Sequence, residues 1–335
     1  MINSNTIVPE NYISKLNIYQ TQTAIGFIKN RFQHYLDKLL NLKRVSAPLF
    51  VLEKSGLNDW LNGDEPVSFL IPYLQEKAEI VHSLAKWKRM ALHNFDFHPG
   101  NGLYTDMNAI RKEEVLDNLH SIYVDQWDWE RVIEKKDRNL DYLKEVVKTI
   151  VEAIHQTSID VKRKYQRIDY LAPDEVFFIS SQELVDQYPN LSFEQREYEI
   201  AKKHGVVFVY QIGGLLRDGT LYDKRAADYD DWKLNGDIIY YHQTLDCAME
   251  LSSMGIRVDA KSLKTQLEAR KRLADLKYPY HQMIINQELP LTIGGGIGQS
   301  RLCMLLLEKA HIGEVQSSVW DEKTIKTCLG KINLI

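Results

Sequence analysis

The stretch TIGGGIGQSRLCMLLLEKAHIG, Thr292–Gly313, decides how the rest of the chain is read. Gly294, Gly295, Gly296 and Gly298 precede Gln299, Ser300 and Arg301, and an apolar run follows. Bare backbone of this kind lets something flat or bulky lie against the chain. A Walker phosphate loop needs Lys and then Ser or Thr after its last glycine, whereas Gly298 is followed by Gln299. The dinucleotide fingerprint needs its third glycine where Gln299 or Arg301 stands. What remains is a strand over Leu289–Ile293, a glycine turn and a helix over Ser300–Lys309. Arg301 falls in the first helical turn, with a planar fork of donors. The bland alternative is a close-packed strand–helix turn with no ligand.

The 335 residues suffice for one large domain or two small ones, and no repeat, low-complexity tract or linker divides them. Apolar residues make up 44% and charged residues 26%, as in a soluble globular protein. A net charge of −4 argues against a protein built mainly to hold nucleic acid. Cys247, Cys303 and Cys328 are far apart and odd in number, so neither a disulfide framework nor a structural zinc site is expected. The polar start MINSNTIVPENYIS is no signal peptide, and no apolar run has the length of a membrane span. The expectation is a soluble, cytoplasmic protein with no membrane partner.

Apolar residues at three and four from Ile25 to Leu40 predict an amphipathic helix. Leu42–Ala47 then reads as a strand stopped by Pro48, and Gly56–Asp64 as a polar loop. Further strands are expected at Ala78–Val81, His120–Gln126 and Val206–Ile212, and helices at Leu84–Leu92 and from Leu140 to Ile154. Ser192 and Gln195 form a capping box for a helix that Gly205 closes. Asp237–Leu245 and Cys247–Val258 are strands so close in sequence that they can pair only antiparallel. That excludes a regular doubly wound sheet.

Four other stretches carry chemistry. In ELSSMGIRV, Glu250–Val258, a bulge at Ser253–Gly255 would bring Glu250, Ser252, Gly255 and Arg257 to one face. In Ile110–Val132, Arg111 precedes an acidic loop and a strand bearing Asp125, Gln126 and Asp128, and could hold a phosphate bidentately. The cations of HSLAKWKR, His82–Arg89, read in isolation as a surface face. Asp228, Asp230, Asp231 and Asp237 lie close enough in sequence to suggest oxygen ligands for Mg²⁺.

Together these stretches resemble a known family. A helix, a strand and Pro48, then Arg111-Lys112-Glu113, then the glycine segment ending in Arg301, resemble the three motifs of class II aminoacyl-tRNA synthetases. The sequence is more similar to the ammonia-dependent asparagine synthetases that share that fold. IVHSLAKWKR (Ile80–Arg89), GLYTDMNAIR (Gly102–Arg111), HSIYVDQWDWERV (His120–Val132), DYDDW (Asp228–Trp232), LNGDI (Leu234–Ile238), ELSSMGIRVDA (Glu250–Ala260) and IGGGIGQSRLCMLLL (Ile293–Leu307) carry the likeness. It covers nearly the whole chain. The residues through about Asn11 and a short segment at Lys233–Leu234 depart from the pattern.

The resemblance implies an α+β fold, a central antiparallel sheet flanked by helices, as a single catalytic domain over residues 1–335. It implies a homodimer joined through the first helix and strand. The implied reaction takes L-aspartate, ATP and ammonia, with Mg²⁺, to asparagine, AMP and pyrophosphate. Arg111, Glu113, Asp230, Glu250, Leu251, Gly296 and Arg301 are then nucleotide contacts, and Asp237 with Glu250 holds the metal. Lys88 and Arg257 take the carboxylates of aspartate, and Asp128 and Ser83 its ammonium, with Ser252 beside them. Asp59, Gln126 and Ser253 serve the ammonia side. Asp59, Lys88, Arg111, Gln126 and Arg301 form the implied catalytic set. The alternative is a synthetase paralogue that activates Asp or Asn without an anticodon-binding domain; the implied first-motif helix begins too near Met1 for such a domain to precede it. A scaffold paralogue would be expected to lack the site charges Arg111, Glu250 and Arg301. A glutamine-using enzyme would be expected to carry an N-terminal cysteine.

Overall fold

In a computed structural model, which describes residues 5–59 and 63–335, the chain opens with helix α1 (Ile18–Leu40). Asn17 and Gln20 cap it reciprocally, and Asn41, at φ 54°, ends it in the left-handed conformation. The helix starts ahead of the expected Ile25 because its first turn exposes Ile18 and Tyr19, so no apolar stripe marks that turn. Ala24, Ile28, Phe32, Leu36 and Leu40 form the buried face, with α3 (Leu140–Lys164) packed against the helix. The Phe32 ring lies 4.6 Å from that of Trp127, which ties α1 to the sheet.

Eleven strands follow among the described residues: β1 (Leu42–Arg44), β2 (Phe50–Leu52), β3 (Ser68–Ile71), β4 (Glu76–Ile80), β5 (Gly102–Ile110), β6 (Tyr123–Val132), β7 (Phe177–Ser180), β8 (Val206–Tyr210), β9 (Asp230–His242), β10 (Cys247–Arg257) and β11 (Thr292–Gly298). The other helices are α2 (Ala85–Asn94), α4 (Ser181–Gln187), α5 (Phe193–His204), α6 (Ala260–Ala269), α7 (Pro279–Ile285), α8 (Gln299–Leu306) and α9 (Glu322–Cys328). The main sheet has the order β1-β5-β6-β11-β10-β9-β8-β7. Its inner pairings are antiparallel, and only the edge pairs β1–β5 and β7–β8 are parallel. A small sheet, β2-β4-β3, stands apart. None of the described helices is long and apolar enough to cross a membrane. Met1–Ser4 and residues 60–62 of the expected loop Gly56–Asp64 lie outside the described residues.

The β9–β10 hairpin and the α5 capping box match their expectations, Gly205 included. The expected glycine turn is corrected: residues 292–298 are a continuous strand, and the helix starts directly after it. Glycine is a poor strand former, but here a side chain has no room. A Cβ on Gly295 would lie 2.6 Å from the Met254 Cβ, and one on Gly294 would lie 2.7 Å from Arg257 Nη2 and on the Glu130 carboxylate. A Cβ on Gly296 would overlap Gln126 and lie 3.2 Å from Asp128 Oδ1. The glycines therefore clear space for neighbouring side chains.

Candidate active site

The antiparallel face of the main sheet forms the floor of a cleft of about 700 Å³, bounded by β6, β10, β11, the first turns of α2 and α8, and the segment before β9. That volume suits a drug-sized ligand. Strand alternation selects which residues reach it. Along β6, Trp127 and Trp129 are fully buried in the core, which turns Gln126, Asp128 and Glu130 to the other face.

Strand β10 needs a bulge to do the same. Glu250 pairs with Ile239 and Ser252 with Ile238, so Leu251 is the extra residue. The bulge lies earlier than expected at Ser253–Gly255, and a second irregularity falls between Gly255 and Arg257. Glu250, Leu251, Ser253 and Arg257 line the cleft. Ser252 corrects the expected face: it alternates with them alongside Met254 and Ile256, which belong to the main core. Its hydroxyl is buried without a partner, away from the cleft.

The cations of α2 also overturn their surface reading. Lys86, Lys88 and Arg89 are 5%, 1% and 1% exposed. Lys88 Nζ donates to Asp128 Oδ1 at 2.6 Å and to the Gly295 carbonyl at 2.9 Å. Burial lowers the Lys88 ammonium from its ordinary range, although Asp128 opposes the shift. The second carboxylate oxygen of Asp128 is buried and has no hydrogen-bond partner. Arg257 donates from Nε and Nη2 to Glu130, at 3.0 and 2.7 Å, and from Nη1 to Asp230. Burial alone would raise the Glu130 carboxyl, but Arg257 and Lys88 hold it below the usual range. Asp230, expected at the nucleotide, is thus placed on Arg257.

The other end of the cleft is open. Arg111, just past β5, keeps 31% of its side chain exposed; its Nε has no hydrogen bond, and Glu114 is 3.9 Å away. Glu113 beside it is 62% exposed. Arg301 donates from Nη1 to the Glu250 carbonyl at 2.7 Å. Its aliphatic stem lies over Gly298, where a Cβ would sit 3.3 Å away. Ser83, Arg111, Glu113, Gln126, Gly296 and Arg301 all line the cleft. Asp59 does not; it is 5% exposed and sits behind the lining, beside Tyr229.

The four aspartates expected to lie together are separated, each with its own cation. Asp228 binds Lys86, Asp230 binds Arg257, Asp231 binds Arg138 at 2.6 Å, and Asp237 binds Arg225. No group of three metal-ligating side chains occurs among the described residues. The Asp237–Glu250 pair still fits a divalent cation. Burial, with the Glu250 charge added to it, pushes the Asp237 carboxyl up to about 7 against the pull of Arg225. Asp237 Oδ1 is buried without a partner and offers an acceptor to a cation; Glu250 lines the cleft, and Asp237 lies behind the lining.

The sequence reading overlooked Arg225, Glu130 and Tyr229. Glu130 was accessible through the alternation of DQWDWE, since it shares a face with Asp128. Arg225 and Tyr229 lie in an irregular segment, where no period assigns a face.

The family model described as aspartate-ammonia ligase matches residues 19–332. The chain is 55% identical over 324 residues to an aspartate–ammonia ligase of Pediococcus pentosaceus, covering 96% of this chain and 97% of that protein. It is 54% identical to one of Clostridium perfringens, covering 96% of each. In three dimensions it is similar to the asparaginyl-tRNA synthetases of Entamoeba histolytica and Pyrococcus horikoshii, each solved with asparaginyl-adenylate. Both give a TM-score of 0.65 over 89% of this chain, at 14% and 15% identity and over 66% and 68% of those chains. At such identities the likeness is one of fold: a class II synthetase-like α+β sheet flanked by helices.

Proposed function

The chain belongs to the aspartate–ammonia ligase family, and from that premise we propose that it joins ammonia to the side-chain carboxyl of L-aspartate. The route is a β-aspartyl adenylate formed from ATP, with release of pyrophosphate and then AMP. A carboxylate oxygen is a poor leaving group. Attack of the aspartate side chain on the α-phosphorus turns it into a mixed anhydride that ammonia can open. Such transfer is mainly positioning and charge neutralisation.

The observation that carries this reading is the contrast between two kinds of cation in one cleft. Lys88 and Arg257 are buried and anchored by carboxylates, whereas Arg111 and Arg301 reach the cleft with no carboxylate hydrogen-bonded to them. An amino acid carrying two carboxylates suits the first pair, both of which line the cleft. Asp128 Oδ2, free of partners, would accept its ammonium with Ser83 alongside. Arg111 and Glu113 would hold the α-phosphate and adenine side of ATP, with Arg301, Leu251 and Gly296 opposite. Asp230 acts through Arg257. Gln126 and Ser253 face the approaching nitrogen, and Asp59 stands behind it.

Asp237 and Glu250 would hold Mg²⁺, which when bound neutralises phosphate charge. The chain acts as one catalytic domain. We place its dimer contact along α1 and the free edge of β1; sedimentation of an active monomer at assay concentration would refute that contact.

Incubation with aspartate, ATP, Mg²⁺ and ammonium should yield asparagine and AMP in equal amounts. Asparagine accompanied by ADP and phosphate would exclude the adenylate, and no asparagine would exclude the reaction.

A further inference from the structure

The reaction proposed above leaves the β- and γ-phosphates of ATP, which depart as pyrophosphate, without a side chain to hold them. Arg225, in the segment before β9, is a cation of the cleft with no role so far. It lines the cleft, as do Asp223 and Ser253, and keeps 17% of its side chain exposed. Its Nη2 donates to Asp237 Oδ2, and its Nη1 lies 3.5 Å from Asp223 Oδ2. Asp237 is its one hydrogen-bond partner among the described residues, so donors remain on a planar fork that matches a phosphate. Two other cations of the wall are engaged elsewhere: Arg270 lies 4.8 Å over the Trp232 ring, and Arg272 is bound to Asp275. Arg225 is the one joined to the acid pair.

The segment that carries Arg225 is neither helix nor strand, yet it is fastened on both sides. Trp232 Nε1 donates to the Ala226 carbonyl at 2.9 Å. Gln266 Nε2, on α6, donates to the Ala227 and Asp230 carbonyls at 3.1 and 2.9 Å. On the other side Tyr222 packs on Phe193 of α5, with ring centres 4.8 Å apart, and its hydroxyl donates to Glu197 at 3.1 Å. Arg225 is therefore held at a set place in the wall, as a preorganised donor must be. Asp237 pairs with Ser253 across β9 and β10, and Glu250 faces Ile239 two positions along, which puts both acids on one face of the sheet.

Resting on the reaction proposed above, we propose that Arg225 binds the outer phosphates of ATP, bridging them to Asp237, and keeps the Asp237–Glu250 pair from taking a divalent cation until those phosphates arrive. The balance of charge decides the order. The two acids alone would offer a cation two negative charges, but the guanidinium on Asp237 cancels one of them. A dication that arrives without phosphate therefore meets a fixed like charge beside its ligands. With phosphate present, Arg225 gains a bidentate partner on its open donors, and the negative charge it had cancelled is restored to the site. Arg225 need not leave Asp237 for this: it holds Oδ2, and Oδ1 is buried without a partner. Cation and pyrophosphate thus load together, and Arg225 takes part in no covalent step.

Two binding equilibria, each with a single ligand and no turnover, test this. Inorganic pyrophosphate is titrated in the presence of EDTA, and Mn²⁺ in the absence of any phosphate. Arg225→Gln can still donate to Asp237 but carries no charge. It should weaken pyrophosphate roughly 10- to 100-fold, the range of a hydrogen bond to a charged group. It should tighten Mn²⁺ by about tenfold or more, because a fixed like charge is gone. A site that is merely damaged would weaken both. Arg225→Lys keeps a cation on Asp237: Mn²⁺ affinity should stay near that of the wild type, while pyrophosphate still weakens because a point charge lacks the fork. A measurement on wild-type protein needs neither variant to fold well: the nitrogen-15 signal of Arg225 Nε, assigned by its loss in either variant, should shift when pyrophosphate is added without metal. Pyrophosphate affinity unchanged in the variants, or a signal that does not move, would overturn the phosphate role. Mn²⁺ affinity unchanged or weaker in Arg225→Gln would overturn the control over the cation. Failure of the reaction itself reads differently: wild-type protein that binds pyrophosphate through Arg225 yet forms no asparagine would sink the ligase chemistry and leave the pyrophosphate site standing.

Discussion

The two ends of the cleft solve opposite problems with the same residue types. At the closed end, Arg257 is 2% exposed and held by Glu130 and Asp230, and Lys88 is held by Asp128 and a glycine carbonyl. At the open end, Arg111 and Arg301 are only partly buried, and neither has a carboxylate hydrogen-bonded to it. A buried cation is tolerable only when paired, so the closed end must be assembled before any ligand arrives. An exposed arginine needs no partner and can wait for one. The closed end is therefore bound to folding, and the open end is free to serve the ligand alone.

This contrast can be broken by mutation. The largest effect is expected for Arg257→Met, which leaves Glu130 and Asp230 buried without their cation. It should lower unfolding stability by about 3–5 kcal/mol, read from denaturant melts. A cost under about 1 kcal/mol, the range of exposed pairs, would mean that the closed end is not preassembled. Next comes Arg111→Ala, expected to slow adenylation roughly 10²–10³-fold, as on removal of one preorganised donor. Arg111→Lys should rescue poorly, because a point charge does not reproduce the planar fork. The smallest expected effect sharpens the comparison most. Arg111→Ala should change unfolding stability by no more than about 0.5 kcal/mol. A loss as large as that of Arg257→Met would erase the distinction between the two ends.

Much of this arrangement was legible in the sequence, because local chemistry and burial agree there. The α5 capping box and the β9–β10 hairpin needed only short-range signals. The glycine segment was misread as a turn because the reason for its glycines is non-local: Glu130, Arg257, Gln126 and Met254 from two neighbouring strands occupy the space of its side chains. The cations of α2 looked like a solvated face because their partners, Asp228, Asp128 and the Val258 and Pro290 carbonyls, lie far along the chain. Asp228, Asp230, Asp231 and Asp237 looked like one metal site for the same reason. Their spacing carries no information about the four distant or irregularly placed cations that separate them. Ser252 was assigned to the wrong face because the bulge falls at Leu251, a one-residue difference that reverses the side chain.

On the proposed route the open end stabilises charge on the α-phosphate of ATP, so that aspartate is activated before ammonia is needed. Exchange of labelled pyrophosphate into ATP, measured with aspartate and Mg²⁺ in the strict absence of ammonium, tests it most directly. Exchange should depend on aspartate and fall in Arg111→Ala by the same factor as adenylation. Exchange that requires ammonia, or release of ADP and orthophosphate in its place, would contradict it.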